Sequence, residues 1–336
     1  MRYLKTTTRF PLIVLMLVVV LLAGCATDRQ VIAQANQFHN SLEPAVIDDP
    51  RLAEYLQAIG DRIIAAAARV RSEDRRGEDS AWMFSKDMKF HFVNSKTINA
   101  FTTGGEHMYI YTALFQHAQT EDELAAVVAH EYAHVYGRHV HKGMNRQYAI
   151  LGLAGAAGAV GYAASDDNRM ETAGIAAGVA LAAGQFIGMS YTRSDEAEAD
   201  KLGFEFYTRA GWDPHRFGDF FQRMIDMGYD KGPEFLSDHP SLSSRVADAK
   251  RRAAALPPAA ARWRRPNIAT DSQFKALQQR SIALGAKMPD DKSLAQAQVL
   301  LAAMPRSCLT PAIHEDQKKA AQQVAAAARQ GQRRQR

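Results

Sequence analysis

The residues best placed to do chemistry are His130-Glu131-Tyr132-Ala133-His134. They follow the apolar run Leu124-Ala125-Ala126-Val127-Val128-Ala129, which predicts a helix. Residues four apart share a helical face. His130 and His134 can therefore offer two imidazoles to one metal ion, with Glu131 beside it. That is the His-Glu-x-x-His arrangement, in which two His bind zinc and the Glu serves as general base for peptide hydrolysis. The competing interpretation is an amphipathic helix with incidental histidines. At ordinary residue usage, a chance match in a chain of 336 residues has odds of about a few per cent. Thr120 followed by Glu123 predicts a capping box at the helix start.

The third ligand decides the type of site. One class of zinc peptidase continues the motif with His-x-x-Gly-x-x-His. Here Gly137 is in place, but Val140 stands where the His is required, with His139 one residue early and His141 one late. The other common solution is a carboxylate from a second helix. Asp195-Glu196-Ala197-Glu198-Ala199-Asp200 supplies a candidate. Glu196 and Asp200 share one helical face, and Glu198 points away from it. Glu196 would be the third ligand, and Asp200 would hold the free ring nitrogen of a ligand His. Alone, this acidic run would be a solvated helix face; the upstream motif changes its meaning. His139 reads as a structural residue buried after the site.

HEYAH followed by Arg138-His139, and then the Glu196-to-Asp200 helix running into Lys201-Leu202-Gly203, resembles the CAAX prenyl protease and HtpX-type family of zinc metallopeptidases (peptidase family M forty-eight). Asn99-Ala100-Phe101 followed by Tyr109-Ile110-Tyr111-Thr112 resembles that family's strand before the catalytic helix. Asp238-His239-Pro240 with Arg245 resembles its His-Pro segment and downstream Arg. The likeness covers residues 85–250 and is greatest to the soluble periplasmic lipoprotein branch, which includes the β-barrel assembly-enhancing protease. It implies an α+β, mainly helical, zincin-like fold: a His-Glu-x-x-His helix, a small sheet beside it and a helix that donates Glu. It also implies one Zn2+ per chain, with Glu131 as the catalytic base. His239 and Arg245 join the catalytic group by this resemblance alone. His239 is either a fourth ligand in a resting form or a donor to the transition state.

The elements that must position these residues can be read along the chain. Arg2, Lys5 and Arg9 precede the apolar run Leu12 to Leu22, and Leu22-Ala23-Gly24-Cys25 follows. This predicts a secretory signal over residues 1–24, ending in a box that resembles a bacterial lipoprotein cleavage site, with Cys25 lipidated. The alternative is an uncleaved anchor helix. Ala26 after the Cys implies, by the same resemblance, the outer membrane facing the periplasm. Removing residues 1–24 lowers the formal net charge from +5 to +2. The basic balance therefore belongs to the signal and the tail, and no stripe for nucleic acid remains. Cys25 and Cys308 are the two cysteines, so a lipidated Cys25 leaves no internal disulfide.

Residues 25–47 read as a linker, 48–256 as the metallopeptidase domain, 257–316 as a small helical region and 317–336 as a basic, disordered tail. Asp48-Asp49-Pro50 predicts a helix start, with Leu52, Leu56, Ile59, Ile63 and Val70 inward. Lys89 to Val93, Ile98 to Phe101 and Met108 to Thr112 read as strands. The strand ending near Phe101 is a candidate edge for adding a substrate strand. The Ala- and Gly-rich stretch 149–189 predicts a helical hairpin, either packed through its small residues or in contact with a membrane.

The sequence thus predicts a zinc endopeptidase of the bacterial cell envelope that acts on unfolded or misassembled outer-membrane or periplasmic proteins. Its partners would be the membrane, through lipid on Cys25, and the outer-membrane assembly machinery. The alternative is a periplasmic chaperone or assembly factor whose peptidase site is mostly at rest. A purely structural zinc is disfavoured, because such sites close with four Cys or His ligands.

Overall fold

Asp49 caps the first long helix as its sequence predicts, with its carboxylate accepting from the Leu52 amide at 3.1 Å. The computed structural model describes residues 28–74, 81–85, 87–146, 186, 191–229 and 241–304. Helix α1 (Asp28–Leu42) precedes that start and α2 (Pro50–Asp74) follows it. A three-stranded sheet comes next: β1 (Lys89–Val93), β2 (Ala100–Thr102) and β3 (His107–Tyr111). Their order is β1-β3-β2, with β1 parallel and β2 antiparallel to β3. The helices α3 (Thr112–His117), α4 (Glu121–Tyr136), α5 (Arg193–Ala210), α6 (Asp219–Asp226) and α7 (Leu242–Ala254) follow. Two more, α8 (Asp271–Gly285) and α9 (Lys292–Ala303), end the described chain. The fold is α+β and mainly helical, as expected.

Helix α4 is the axis. Each residue from Glu121 to Val135 is buried, which marks a helix packed on all sides rather than an amphipathic one. α5 lies along it, with α2 and β2 on its other sides. Leu52, Leu56, Ile59, Ile63 and Val70 of α2 are in the core, as are Phe204, Phe206 and Tyr207 of α5. Phe217, Phe220, Phe221 and Met224 join them, whereas His215 is exposed.

Three expectations change. Residues 28–42 are a packed helix and not linker. Val31, Ala35, Phe38 and Leu42 recur on one face and are buried, but the Gln and Asn between them dilute the pattern. Residues 257–304 do not stand apart: Phe274, Leu294, Ala297, Leu300 and Leu301 enter the same core as the rest. Gln278 Nε2 donates to the Phe115 and Ala118 carbonyls at 2.6 Å each, and the Tyr111 hydroxyl to the Leu301 carbonyl at 2.7 Å. Arg280 pairs with Asp49, the cap of α2. Finally, the capping box at Thr120 is only half made. Thr120 accepts from the Glu123 amide, but the Glu123 carboxylate takes the Gln119 amide and the Arg223 guanidinium instead. The expected leader with Cys25, nearly all of the stretch 149–189, and the expected tail lie outside the described residues. Among those described, no helix is long and apolar enough to cross a membrane.

Candidate metal centre

Helices α4 and α5 touch at Gly203. A Cβ there would stand 3.0 Å from the His130 Cα and 3.1 Å from its amide nitrogen, so a side chain would press the two helices apart. The N-terminus of α5 is fixed by a full capping box, with Thr192 and Asp195 each accepting from the other's amide. Together these set Glu196 opposite His130 and His134.

All three side chains are fully buried. The Nε2 atoms of His130 and His134 lie 3.1 Å apart. Glu196 Oε2 is 3.4 Å from the first and Oε1 is 3.8 Å from the second. Zinc with bonds of about 2.0–2.1 Å to nitrogen or oxygen needs donors about 3.3–3.4 Å apart at tetrahedral corners. The observed spacing fits, as does the donor chemistry of two imidazoles and a carboxylate. His130, His134 and Glu196 could hold one such ion.

Asp200 lies one turn beyond Glu196 on α5 and faces His130. Its Oδ1 is 2.9 Å from His130 Nδ1, which leaves the Nε2 lone pair for the shared point. Arg245 grips the same carboxylate through Nε at 2.8 Å and Nη2 at 2.6 Å. Its guanidinium sits 4.0 Å over the Phe221 ring. Burial works against ionisation of Asp200, but Arg245 and His130 outweigh it and hold the carboxyl below its ordinary value. Burial and Arg245 push His130 down, while Asp200 and Glu196 more than offset them and bring it to about 9. Burial drives His134 well below its usual value. Arg245 Nη2 also lies 3.1 Å from His130 Nδ1 and 3.4 Å from its Nε2, and Glu131, the next residue on α4, is fully buried. His239 lies outside the described residues.

The sequence missed what stands behind His134. His139 Nδ1 is 2.9 Å from His134 Nδ1, and His139 Nε2 is 3.3 Å from Glu198 Oε2. For His134 to turn an Nε2 lone pair toward Glu196, its proton must sit on Nδ1. His139 then accepts that proton's hydrogen bond and donates from Nε2 to Glu198. Glu198 does point away from the ligand face, but toward this chain of contacts. The Tyr191 ring stacks on His134 at 3.9 Å. The signal was the turn: α4 stops at Tyr136, and Arg138 takes φ 55°, which folds His139 back. A Cβ on Gly137 would meet His139 Nε2 at 2.4 Å, so Gly is needed there as well.

The family model described as Peptidase family M48 matches residues 50–253, more than half of the chain. The chain belongs to that family. It is a metallopeptidase by family, and the family's metal is typically zinc. It is similar to the putative β-barrel assembly-enhancing protease of Vibrio cholerae, 36% identical over 221 residues, which are 63% of this chain and 41% of that protein. The β-barrel assembly-enhancing protease of Escherichia coli is 34% identical over 220 residues, with the same shares. The mitochondrial metalloendopeptidase OMA1 of Saccharomyces cerevisiae is 29% identical over 168 residues, 47% of this chain and 45% of that protein. The chain spans about two fifths of the length of the bacterial relatives.

Proposed function

We propose that this chain is a zinc endopeptidase of the bacterial cell envelope, acting on unfolded or misassembled outer-membrane or periplasmic proteins. The observation that carries it is the convergence of His130 Nε2, His134 Nε2 and the Glu196 carboxylate on one buried point. The names of the bacterial relatives support the envelope setting. Lipid on Cys25 would hold the chain to the outer membrane on the periplasmic side, near the machinery that assembles β-barrels.

In this reading His130, His134 and Glu196 hold the ion. Bound zinc supplies Lewis-acid polarisation of the scissile carbonyl and of a water. Glu131 takes a proton from that water and delivers it to the leaving amine. Asp200 keeps His130 in the right tautomer, and Arg245 keeps Asp200 ionised and in place. His139 does for His134 what Asp200 does for His130. β2 is an end strand of the sheet beside α4, where an extended substrate can pair with it. β1's outer edge is already taken: Ile47 donates to the Phe92 carbonyl and Asn94 to the Ala45 carbonyl.

The test is Glu131→Gln. Gln cannot accept the water's proton, so the variant should keep zinc and the fold and lose casein cleavage by about a thousandfold. In a strain carrying it, envelope proteomics should show outer-membrane proteins accumulating uncleaved. Cleavage at the wild-type rate would remove the proposed mechanism. A strain that loses cleavage but assembles its outer membrane normally would favour the chaperone alternative.

A further inference from the structure

A second group of imidazoles lies apart from the first. His39 of α1, His91 of β1 and His107 of β3 meet on the sheet face that α1 covers. Side chains alternate along a strand. His91 is in register with Tyr109, two residues from His107, so all three point the same way. His91 Nε2 lies 2.9 Å from His107 Nδ1. The His39 ring stacks on that of His107 with centroids 4.1 Å apart and lies 4.6 Å from that of His91. One ring nitrogen from each lies within 4.8 Å of those of the other two.

The outer nitrogens of two rings are already engaged. His107 Nε2 meets the Asn36 side-chain oxygen at 3.0 Å, and His39 Nδ1 meets the Tyr109 hydroxyl at 3.0 Å. Metal-ligating histidines are held in this way, with one nitrogen tied to an oxygen and the other left for the ion. Asn36 can only accept through that oxygen, so His107 carries its proton on Nε2 and presents a lone pair from Nδ1. Burial, aided by repulsion from neighbouring histidines, holds His91 at about 3 and His107 at about 4.

We propose that His39, His91 and His107 form a second metal site, for a divalent transition ion of the zinc, copper or nickel class. Imidazole suits those ions. His91 and His107 stand as neighbouring ligands already. His39 completes the set by rotating its ring out of the stack, and water fills what remains. The ion would join α1 to the sheet. It would also steady β2, because Phe38, next to His39, packs on Phe101 of that strand with centroids 6.4 Å apart. None of this depends on the chemistry proposed for Glu131 or on occupancy of the first centre.

The test counts ions. The untagged full chain is stripped with chelator, titrated with Zn2+, and metal per chain is measured after gel filtration. Wild type should hold two ions, and Glu196→Ala should keep one. His91→Gln combined with His107→Gln should hold one, and adding both to the Glu196→Ala chain should abolish the rise in melting temperature that Zn2+ gives it. His39→Gln, at a half-exposed position, should weaken the second ion at least tenfold without altering the circular dichroism, should the strand variants fail to fold. Cu2+ bound to the Glu196→Ala chain should show imidazole nitrogens in its paramagnetic resonance. A wild-type stoichiometry of one, a second ion indifferent to His39→Gln, or Cu2+ without imidazole nitrogens would overturn the proposal.

Discussion

The two ends of α4 carry buried ionisable groups in opposite ways. At the N-terminal end, Glu121, Asp122 and Glu123 are all buried, and each of their oxygens is used by the chain itself. Glu121 accepts from Trp212 Nε1, the Ile268 and Ala269 amides and the Tyr55 hydroxyl. Asp122 accepts from the Tyr207 hydroxyl, the Asp213 amide and Asn267 Nδ2. Glu123 takes the Gln119 amide and Arg223. The helix dipole adds to this, since negative charge is favoured in the first turn. At the other end, the Nε2 atoms of His130 and His134 face one another and Glu196, with Arg245 Nη2 3.4 Å from the first. The two ends are equally buried, so burial does not separate structure from chemistry. Convergence of lone pairs on one point does.

That contrast can be broken most sharply at the convergent end. Glu196→Ala, His130→Ala or His134→Ala should each bring zinc at the first centre far below one per chain. The loss of affinity should exceed the roughly 10- to 100-fold that attends loss of a supporting group, and metal analysis of the purified chain reads it. Full occupancy there in Glu196→Ala would remove it from the ligand set. At the saturated end the effect should be on stability and not on metal. Glu121→Ala strands several buried donors, and should lower the unfolding free energy by about 3 kcal/mol with zinc stoichiometry unchanged. Denaturant titration alongside metal analysis checks both halves. A Glu121→Ala chain that loses zinc while still folded would erase the distinction.

Smaller effects sharpen it. His139→Ala removes the partner of His134 Nδ1 and should weaken zinc at the first centre about tenfold, measured by competition with a chromogenic chelator. A structural role alone would lower the melting temperature and leave that affinity intact. Glu198→Ala should do least. Its side chain is 39% exposed and stands one residue further back, so the change in zinc affinity should stay under about fivefold.

Helical periodicity explains what could be read in advance. His130, His134, Glu196 and Asp200 sit at spacings of four on two helices, and four-residue spacing survives into the structure unchanged. The cap at Asp49 and the inward face of α2 were legible for the same reason. What escaped depends on turns and on distant chain. His139 reaches His134 only because Arg138 adopts a left-handed conformation, which no helical count anticipates. The acids of α4 looked like a capping signal, but their partners stand up to 148 residues away. Arg245 was placed by resemblance, and its guanidinium meets both Asp200 and His130. The residues of α1 that looked like linker became core because α9 and the sheet meet them, and neither is local to that segment.

Gly203 has a bearing on ion choice. The distance between two helix axes decides how far one carboxylate stands from two imidazoles, and at 203 that distance is held by the absence of a side chain. A methyl group there would spread the donors by a few tenths of an ångström. Zinc tolerates little of this at bonds of about 2.0–2.1 Å, whereas a larger ion such as calcium, at about 2.3–2.6 Å, would still require more oxygens than one Glu offers. Selectivity for a small, nitrogen-loving ion is in this sense written into the spacing of the backbone.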